Sequence, residues 1–423
     1  MTPNNGEWKA GTPILIGTFI GLGTSLHLHF YVSSLFVGGI TSEFGWSRGE
    51  VAAAQAIAMW GVVAAPFVGR LIDRVGVRYA IIFGQLALAA AYLMLAGLGP
   101  ELWLYVATLA GLQALGQASG TAAHTRAVAS WFERNRGLAM GIAITGIPLF
   151  GVIMAPLLSA VIEAYSWRAG YAMLAGVSAL VGLPIAAWLV RERPRPTREA
   201  SKSDAAGPDA EPGADVPAEQ PGYEVRDLPR LPVFWLLILA LVLVNVPGGG
   251  FLGQLAPMLQ DGGLTAAQAA WFVSAFAGAV IVGRLMSGAL LDRYNPALVA
   301  ALFTCAPAIG MAAFALTDTL SPAMTLIGVA LIGIQQGAEI DLLAFFTARH
   351  FGLKRYSTIY GIGYAVVTIA TSFGVTLFGL CHDWTGSYHL VLSISAFTFL
   401  GAALCFLAIR RAPVVADKPQ PSL

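Results

Sequence analysis

The chain has 423 residues, 57% of them hydrophobic and only 11% charged, with a formal net charge of +1. Soluble proteins carry about a quarter charged residues. So few charges cannot cover a water-facing surface, which excludes a soluble globular protein, and the lack of a basic stripe excludes nucleic acid as a partner. Cys305, Cys381 and Cys405 sit singly in apolar runs and form neither a metal-ligand pattern nor a disulfide framework.

A membrane-crossing helix needs about 20 mostly apolar residues. Runs of that kind fall at 12–40, 50–71, 79–98, 102–129, 137–162, 168–190, 232–259, 266–291, 296–317, 322–348, 357–381 and 388–409. They predict an all-α membrane protein with twelve transmembrane helices. The start, MTPNNGEWKAG, lacks the basic and short apolar regions of a cleaved signal peptide, so the first span is expected to act as the insertion signal. Lysine and arginine gather at the even junctions: Arg74 and Arg78, Arg134 and Arg136, Arg191 to Lys202, Arg293, Lys354 and Arg355, Arg410 and Arg411. The odd junctions hold little more than Arg48 and Arg168. By the positive-inside rule both termini and the central loop are expected in the cytoplasm.

Span 1 carries Thr24, His27, Tyr31 and Ser34 on one stripe, with Ser25, His29 and Ser33 roughly opposite. A histidine titrates near neutral pH and can couple to protons. Two histidines on opposed faces cannot both line a pore, and the His27 stripe is preferred. Between spans 2 and 3 stands Gly69-x-x-x-Asp73-Arg74, continuing to Arg78. Span 4 places Gln117, Thr121 and His124 at helical spacing on one face, and His124 is a second candidate for proton coupling. Arg126 points away from that face and reads as interfacial or structural.

The segment 191–230 is rich in Ala, Pro, Gly, Asp and Glu and reads as a flexible linker. It separates an N-terminal six-helix bundle, 1–190, from a C-terminal one, 231–423. Span 7 holds Asn245 followed by Pro247-Gly248-Gly249-Gly250, a gating hinge or a site of close helix packing. Span 8 carries Arg284 about eight residues from its cytoplasmic end, about 12 Å deep at 1.5 Å per residue. A charge at that depth is costly and marks function or a structural ion pair. Arginine offers a planar fork that matches a carboxylate, so Arg284 is the candidate substrate anchor, with Glu339 or Asp341 as an alternative ion-pair partner. The span ends in Gly288-x-x-x-Asp292-Arg293, a second copy of the Gly69 motif on the same side. Equal topology in both parts is a parallel repeat, whose substrate site lies near mid-membrane between the repeats.

In span 10, Glu339 shares a face with Gln335 and Gln336 and is the candidate proton carrier. Asp341, two residues on, points to the other side and is expected to contact a neighbouring helix. In span 11, Tyr360, Tyr364 and Thr368 align at four-residue spacing, and Tyr364 is placed in the cavity. There is no metal-ligand spacing, Walker loop or GxSxG, so neither an enzyme nor a bound cofactor or metal is expected.

GRLIDRVGVR, Gly69–Arg78, resembles the GxxxDRxGxR signature of the major facilitator superfamily, and the second copy matches it in part. The resemblance implies that glycine lets helices 2 and 11 approach, while the Asp caps a neighbouring helix and pairs with Arg. Gly69, Asp73, Arg74, Arg78, Gly288, Asp292 and Arg293 would then form a conformational latch. WFERNRGLAMGIAITG, Trp131–Gly146, resembles the monocarboxylate transporter family, and EFGWSRGE, YSWRAGY, ARHFG and HDWTGSY resemble its bacterial members. Arg284 falls on that family's helix 8 arginine, Val280 on its aspartate, and Phe30 or Tyr31 near its helix 1 lysine. The resemblance also implies substrate contacts near Thr121. Tyr31, Tyr364 and Asn245 are the further candidates for the substrate site. No lysine occurs between Tyr356 and Cys381, where oxalate–formate exchangers keep one. The expected function is proton-coupled symport of a small organic monocarboxylate by a monomer in a bacterial inner membrane. Anion exchange of the oxalate–formate kind and a transporter-like carboxylate sensor are the alternatives.

Overall fold

The computed structural model describes residues 3–193, 222–316 and 321–411. They fold as α1 (Pro3–Gly23), α2 (Leu26–Val32), α3 (Ser34–Phe44), α4 (Arg48–Met59), α5 (Ala65–Val75), α6 (Val77–Ala96), α7 (Leu102–Gly116), α8 (Thr121–Trp131), α9 (Arg136–Ala164), α10 (Trp167–Val177) and α11 (Leu183–Trp188). After residue 222 come α12 (Pro232–Asp261), α13 (Ala266–Arg293), α14 (Pro296–Leu316), α15 (Pro322–Phe346), α16 (Tyr356–Thr385) and α17 (His389–Ile409). Helices α1–α11 are called the N-terminal set below, and α12–α17 the C-terminal set.

Among the described residues ten helices are long and apolar enough to cross a membrane, or eleven if the pair bent by 43° at Thr24–Ser25 is one span. The expected fourth span at 102–129 is divided. Its helix stops at Gly116, a single tight turn covers Gln117–Ser119, and a new helix starts at Thr121. Gly120 sits extended at that break (φ −83°, ψ −169°), so neither piece reaches spanning length. Span 1 breaks for a similar local reason, because the Ser25 hydroxyl caps the new helix at His27 N. Large apolar side chains such as Phe67, Leu302 and Phe397 lie on the outside, as hydrocarbon rather than water requires.

The helix starts repeat between the sets. Ser47 and Glu50 form a capping box at the start of α4, and Thr265 and Gln268 form one at the start of α13. The bacterial motifs also find physical roles. Glu43 accepts from Trp167 Nε1 (2.7 Å) and from Arg168 Nη1 (2.5 Å), which ties α3 to α10. Gly352 and Gly386 adopt φ of 78° and 70°, conformations that only glycine takes without strain.

The structure bears on two further readings. The Pro247–Gly250 stretch does not interrupt α12, which runs continuously from Pro232 to Asp261. Its glycines make room for α16: a Cβ on Gly249 would sit 2.6 Å from Thr371, and one on Gly374 1.9 Å from Val246 O. Packing, not a hinge, is their role in this conformation. The expected linker at 191–230 lies outside the described residues over 194–221, but its far end is ordered. Tyr223 N donates to Phe351 O (3.0 Å), Val225–Arg230 form a short helix, and Glu224 pairs with Lys354 (3.2 Å) and Arg355 (2.9 Å). The two cations hold the Glu224 carboxyl below its usual range, with the Arg355 hydrogen bond as the largest cause.

Candidate functional site

The two Gly-x-x-x-Asp-Arg motifs lie at one end of the molecule. There each aspartate reaches across to the other set and caps a helix. Asp73 accepts from Ser357 N (3.0 Å), Thr358 N (2.9 Å) and Thr358 Oγ1 (2.5 Å) at the start of α16. Asp292 accepts from Gly137 N (2.7 Å) and Leu138 N (2.8 Å) at the start of α9. A carboxylate at a helix N-terminus meets free N–H groups and the positive end of the helix dipole. Glycine permits the approach. A Cβ on Gly69 would sit 2.2 Å from Ser357 O, and one on Gly288 2.6 Å from Gly137 O.

Asp73 is also ion-paired to Arg126, which in turn pairs with Glu192, and both Asp73 and Arg126 side chains are almost wholly buried. The arginine that completes this latch therefore comes from α8 and not from the motif. Arg74, Arg78 and Arg293 stand exposed and form no ion pair among the described residues. Position explains this: the residue after each aspartate turns about 100° around the helix, away from the facing set. Glu7 adds a tie within the N-terminal set, accepting from the backbone of Glu133, Arg134 (3.1 Å) and Asn135 (3.3 Å), with Trp8 packed edge-on to Phe132.

From this end a row of tyrosines on α16 runs inward. Tyr356 donates to Thr125 (2.9 Å), Tyr360 donates to Thr121 (2.9 Å), and Tyr364 Oη lies 3.5 Å from His27 Nε2. Consecutive rings are 5.9 Å and 6.3 Å apart and nearly parallel. The four-residue spacing of the tyrosines matches that of Thr121 and Thr125 on α8, so two helices facing each other pair rung by rung. Thr121 is thus engaged by Tyr360, and the void beside it measures only about 10 Å³, no more than a single water needs. His124 does not share the Thr121 face. It turns to α1, where its Nε2 lies 2.4 Å from where a Gly21 Cβ would be and has no hydrogen-bond partner among the described residues, while Nδ1 bonds Gly120 O at 3.0 Å. Thr125, not His124, continues the stripe, because four residues return closer to the same face than three.

Arg284 lies at the inner end of this row, 7% exposed. Its Nε donates to Gly337 O (3.3 Å) on α15 and its Nη1 to Ile144 O (3.4 Å) on α9, so it bridges both sets. Nη2 makes no hydrogen bond among the described residues. The approach to Gly337 depends on glycine at the α13–α15 crossing: a Cβ there would stand 2.0 Å from Val280 O. Among the described residues no carboxylate lies within ion-pair distance of Arg284, so the Glu339–Arg284 pair considered from the sequence is not formed in this conformation. Glu339 is instead bonded by Gln336 and stands beside Asn245. Asn245 is itself held, donating to Leu241 O (2.9 Å) and accepting from Thr371 (3.2 Å). The Arg284 charge acts on His27, Tyr31, Glu339 and Asp341, which places these groups in one neighbourhood. Tyr31 is 49% exposed and packs over Gly151. His29 lies on the other side of α2 against Tyr92.

All hydrogen bonds that join the two sets among the described residues lie between the motif end and the level of Arg284 and His27. Beyond that level the sets are not tied. The molecule is therefore closed at the motif end, around one buried cation with an open nitrogen. Sequence reasoning missed Thr125, Tyr356 and Ser287, and it read Arg126 as interfacial or structural without naming its partners. For Tyr356 the signal was present as one more step of the Tyr360–Tyr364 spacing; for Arg126 only the third dimension supplies the partner.

A family model for the Major Facilitator Superfamily matches residues 14–363. The chain belongs to that superfamily. It is 26% identical over 400 residues to monocarboxylate transporter 13 of Rattus norvegicus, covering 91% of this chain and 88% of the relative. It is 26% identical over 390 residues to a gentisate transporter of Corynebacterium glutamicum, covering 88% and 81%. The E. coli fucose:proton symporter superposes with a TM-score of 0.68 over 95% of this chain and 98% of that one, at 15% identity, a likeness of fold alone. The protein is a facilitator-type membrane transporter that resembles the monocarboxylate transporters.

Proposed function

We propose that this facilitator carries a small organic monocarboxylate with a proton, by alternating access. The observation that supports the reading is Arg284: a buried guanidinium, shared by both sets, with no carboxylate partner and one open nitrogen. An unpaired buried cation is unfavourable in a membrane, and a carboxylate substrate supplies the missing charge in a planar geometry that the guanidinium matches. His27, Tyr31, Tyr364 and Asn245 complete the site in this reading, with Thr121 joining when Tyr360 withdraws. Glu339, His27 and His124 are the proton-coupling candidates.

In this proposal twelve transmembrane helices form two six-helix bundles, residues 1–190 and 231–423, joined by a cytoplasmic linker over 191–230. Both termini are cytoplasmic, in the inner membrane of a bacterium, and the protein works as a monomer. The motif end is then the cytoplasmic side, and the conformation described is open toward the outside. Substrate neutralises Arg284 and the two latches release. The bundles rock about the site, and substrate and proton leave together.

Flux in vesicles reconstituted with purified protein tests this, with lactate and gentisate as probes. Uptake driven by an inward proton gradient and lost when the gradient is collapsed is expected, with Arg284→Ala at least about tenfold slower and Arg284→Lys partly active. Trans-stimulated flux indifferent to the gradient favours anion exchange instead. Binding without flux favours a sensor. Undiminished flux in Arg284→Ala overturns the reading.

A further inference from the structure

Among the described residues four carboxylates stand at contacts between helices, Asp292 only partly buried, and three of them are well supplied. Asp73 has Arg126 and three hydrogen bonds, Asp292 has two backbone donors, and Glu339 has Gln336 with Asn245 beside it. Asp341 differs. It is 1% exposed and, among the described residues, its Oδ1 has no hydrogen-bond partner and its Oδ2 meets only the Ser287 hydroxyl at 3.3 Å. Ser287 Oγ also lies 3.0 Å from Arg284 O. That hydroxyl has one hydrogen, and a carbonyl can only accept. If Ser287 donates to Arg284 O, then Asp341 must be the donor to Ser287, which requires it to hold a proton. If Ser287 donates to Asp341 instead, a carboxylate with one hydrogen bond and one bare oxygen is left in a membrane interior, which is strongly unfavourable.

The surroundings add no further hydrogen bond or ion pair among the described residues, and the Arg284 charge acts on Asp341 only from beyond ion-pair distance. Arg284 on α13 is turned to Gly337 O and Ile144 O, outside ion-pair distance. Tyr360 on α16 is committed to Thr121. From α9 Gly141 approaches, and a Cβ on it would stand 3.8 Å from Oδ2. Glu339 on the same helix is engaged with Gln336. Among the described residues Arg284 and Tyr360 are the titratable groups that interact electrostatically with Asp341 from neighbouring helices, and Glu339 stands two residues away on its own helix.

We infer that Asp341 is held as a neutral carboxylic acid in the conformation closed at the motif end, and is a proton-carrying residue distinct from Glu339. It donates through Ser287, which lies one turn along α13 from Arg284, and it faces α9, the helix that Arg284 also grips. When substrate leaves and Arg284 lets go of Ile144 O, the guanidinium can turn to Asp341. The Asp341 O–H bond then breaks, the electron pair stays on the carboxylate, and the proton passes to water on the side then open. A residue expected from the sequence to serve only a neighbouring helix becomes a reporter of the substrate anchor. The inference deepens the symport reading and rests on it for the direction of coupling; the protonation state itself does not.

Infrared difference spectroscopy of the purified full-length protein, without substrate, across a pH titration tests it. The wild type should show the carbonyl stretch of a protonated carboxylic acid that disappears as pH is raised. Asp341→Asn should lose that component, Glu339→Gln should keep it, and Ser287→Ala should shift its frequency by removing the hydrogen bond. An acid-carbonyl band unchanged by Asp341→Asn overturns the proposal. If Asp341→Asn does not fold, Ser287→Ala decides, and an unshifted band overturns it. Should vesicle flux prove independent of pH while the Asp341 band is present, the symport reading fails and the protonated Asp341 stands.

Discussion

The Asp73 and Asp292 latches are built to one plan and differ in one respect. Each joins the sets by capping a helix of the opposite one, with glycine one turn earlier allowing contact. Asp73 adds a buried arginine, Arg126, with Glu192 behind it, whereas Asp292 relies on backbone donors. The Asp73–Arg126 pair lies within the N-terminal set and is not parted when the sets separate; across the interface Asp73 accepts three hydrogen bonds and Asp292 two. The pair holds the Asp73 carboxylate in place to cap α16, whereas Asp292 has its backbone donors alone. The asymmetry makes loss of the Asp73 carboxylate the more disruptive change, because it strands a buried cation.

The largest effect expected from this difference is on stability. Asp73→Asn leaves Arg126 buried with only part of its charge compensated and should destabilise by about 3 kcal/mol. Asp292→Asn gives up hydrogen bonds to two backbone donors and should lose about 1 kcal/mol. Thermal unfolding of both variants in one detergent measures the gap, and equal losses would erase the distinction. Replacing Arg126 by Ala in the Asp73→Asn background should recover part of the loss, since it removes the stranded charge.

Next in size, Gly69→Ala and Gly288→Ala place a Cβ within 2.2 Å and 2.6 Å of backbone oxygen. Overpacking of this kind costs about 1–3 kcal/mol. Both substitutions should favour the conformation open at the motif end, read as faster alkylation of a Thr121→Cys reporter. No change in that rate would mean that the helices separate without consulting the glycines.

The tyrosine row should respond by less. Tyr360→Phe removes a hydrogen bond of 2.9 Å and Tyr364→Phe one of 3.5 Å, so the first should loosen the closed state by about 1 kcal/mol and the second by less. Alkylation of a Thr125→Cys or Ser357→Cys reporter ranks them, and the reverse order would contradict the rung-by-rung pairing.

The smallest effect belongs to Glu224, whose carboxyl is held below its usual range by Arg355 and Lys354. A depressed folded value means that the contribution is present above the unfolded glutamate pKa and is lost as pH falls through the folded one. The tie is partly exposed, so it should be worth about 0.5 kcal/mol or less. Proteolysis within 222–230 should accelerate at acid pH in the wild type and lose that dependence in Glu224→Gln.

Much of the fold was legible because its signals are local. Apolar runs mark helices, and the repeated Gly-x-x-x-Asp-Arg is recognisable without a partner. Reading from one face of an ideal helix went astray where the helix is not ideal. The break at Gln117–Ser119 divides the predicted fourth span, and the turn at Thr24–Ser25 re-aims His27. His124 and Thr121 separate because a 60° difference around α8 decides between α1 and α16. At the candidate site, Arg284 and Glu339 were both visible as charges in apolar runs. Their lack of a mutual ion pair was not, because it depends on which backbone carbonyls the α13–α15 crossing brings within reach.

The sequence by itself determined the class, the helices, the repeat and the identity of the buried charges, since hydropathy, glycine spacing and charge placement act over a few residues. Only the tertiary structure decided the partners. Asp73 chooses Arg126 over Arg74, Arg284 chooses two carbonyls over Glu339, and Asp341 is left with a single hydroxyl. These choices are made across helix interfaces, where distances of a few ångströms between residues far apart in the chain determine whether a buried charge is paired, capped or neutralised.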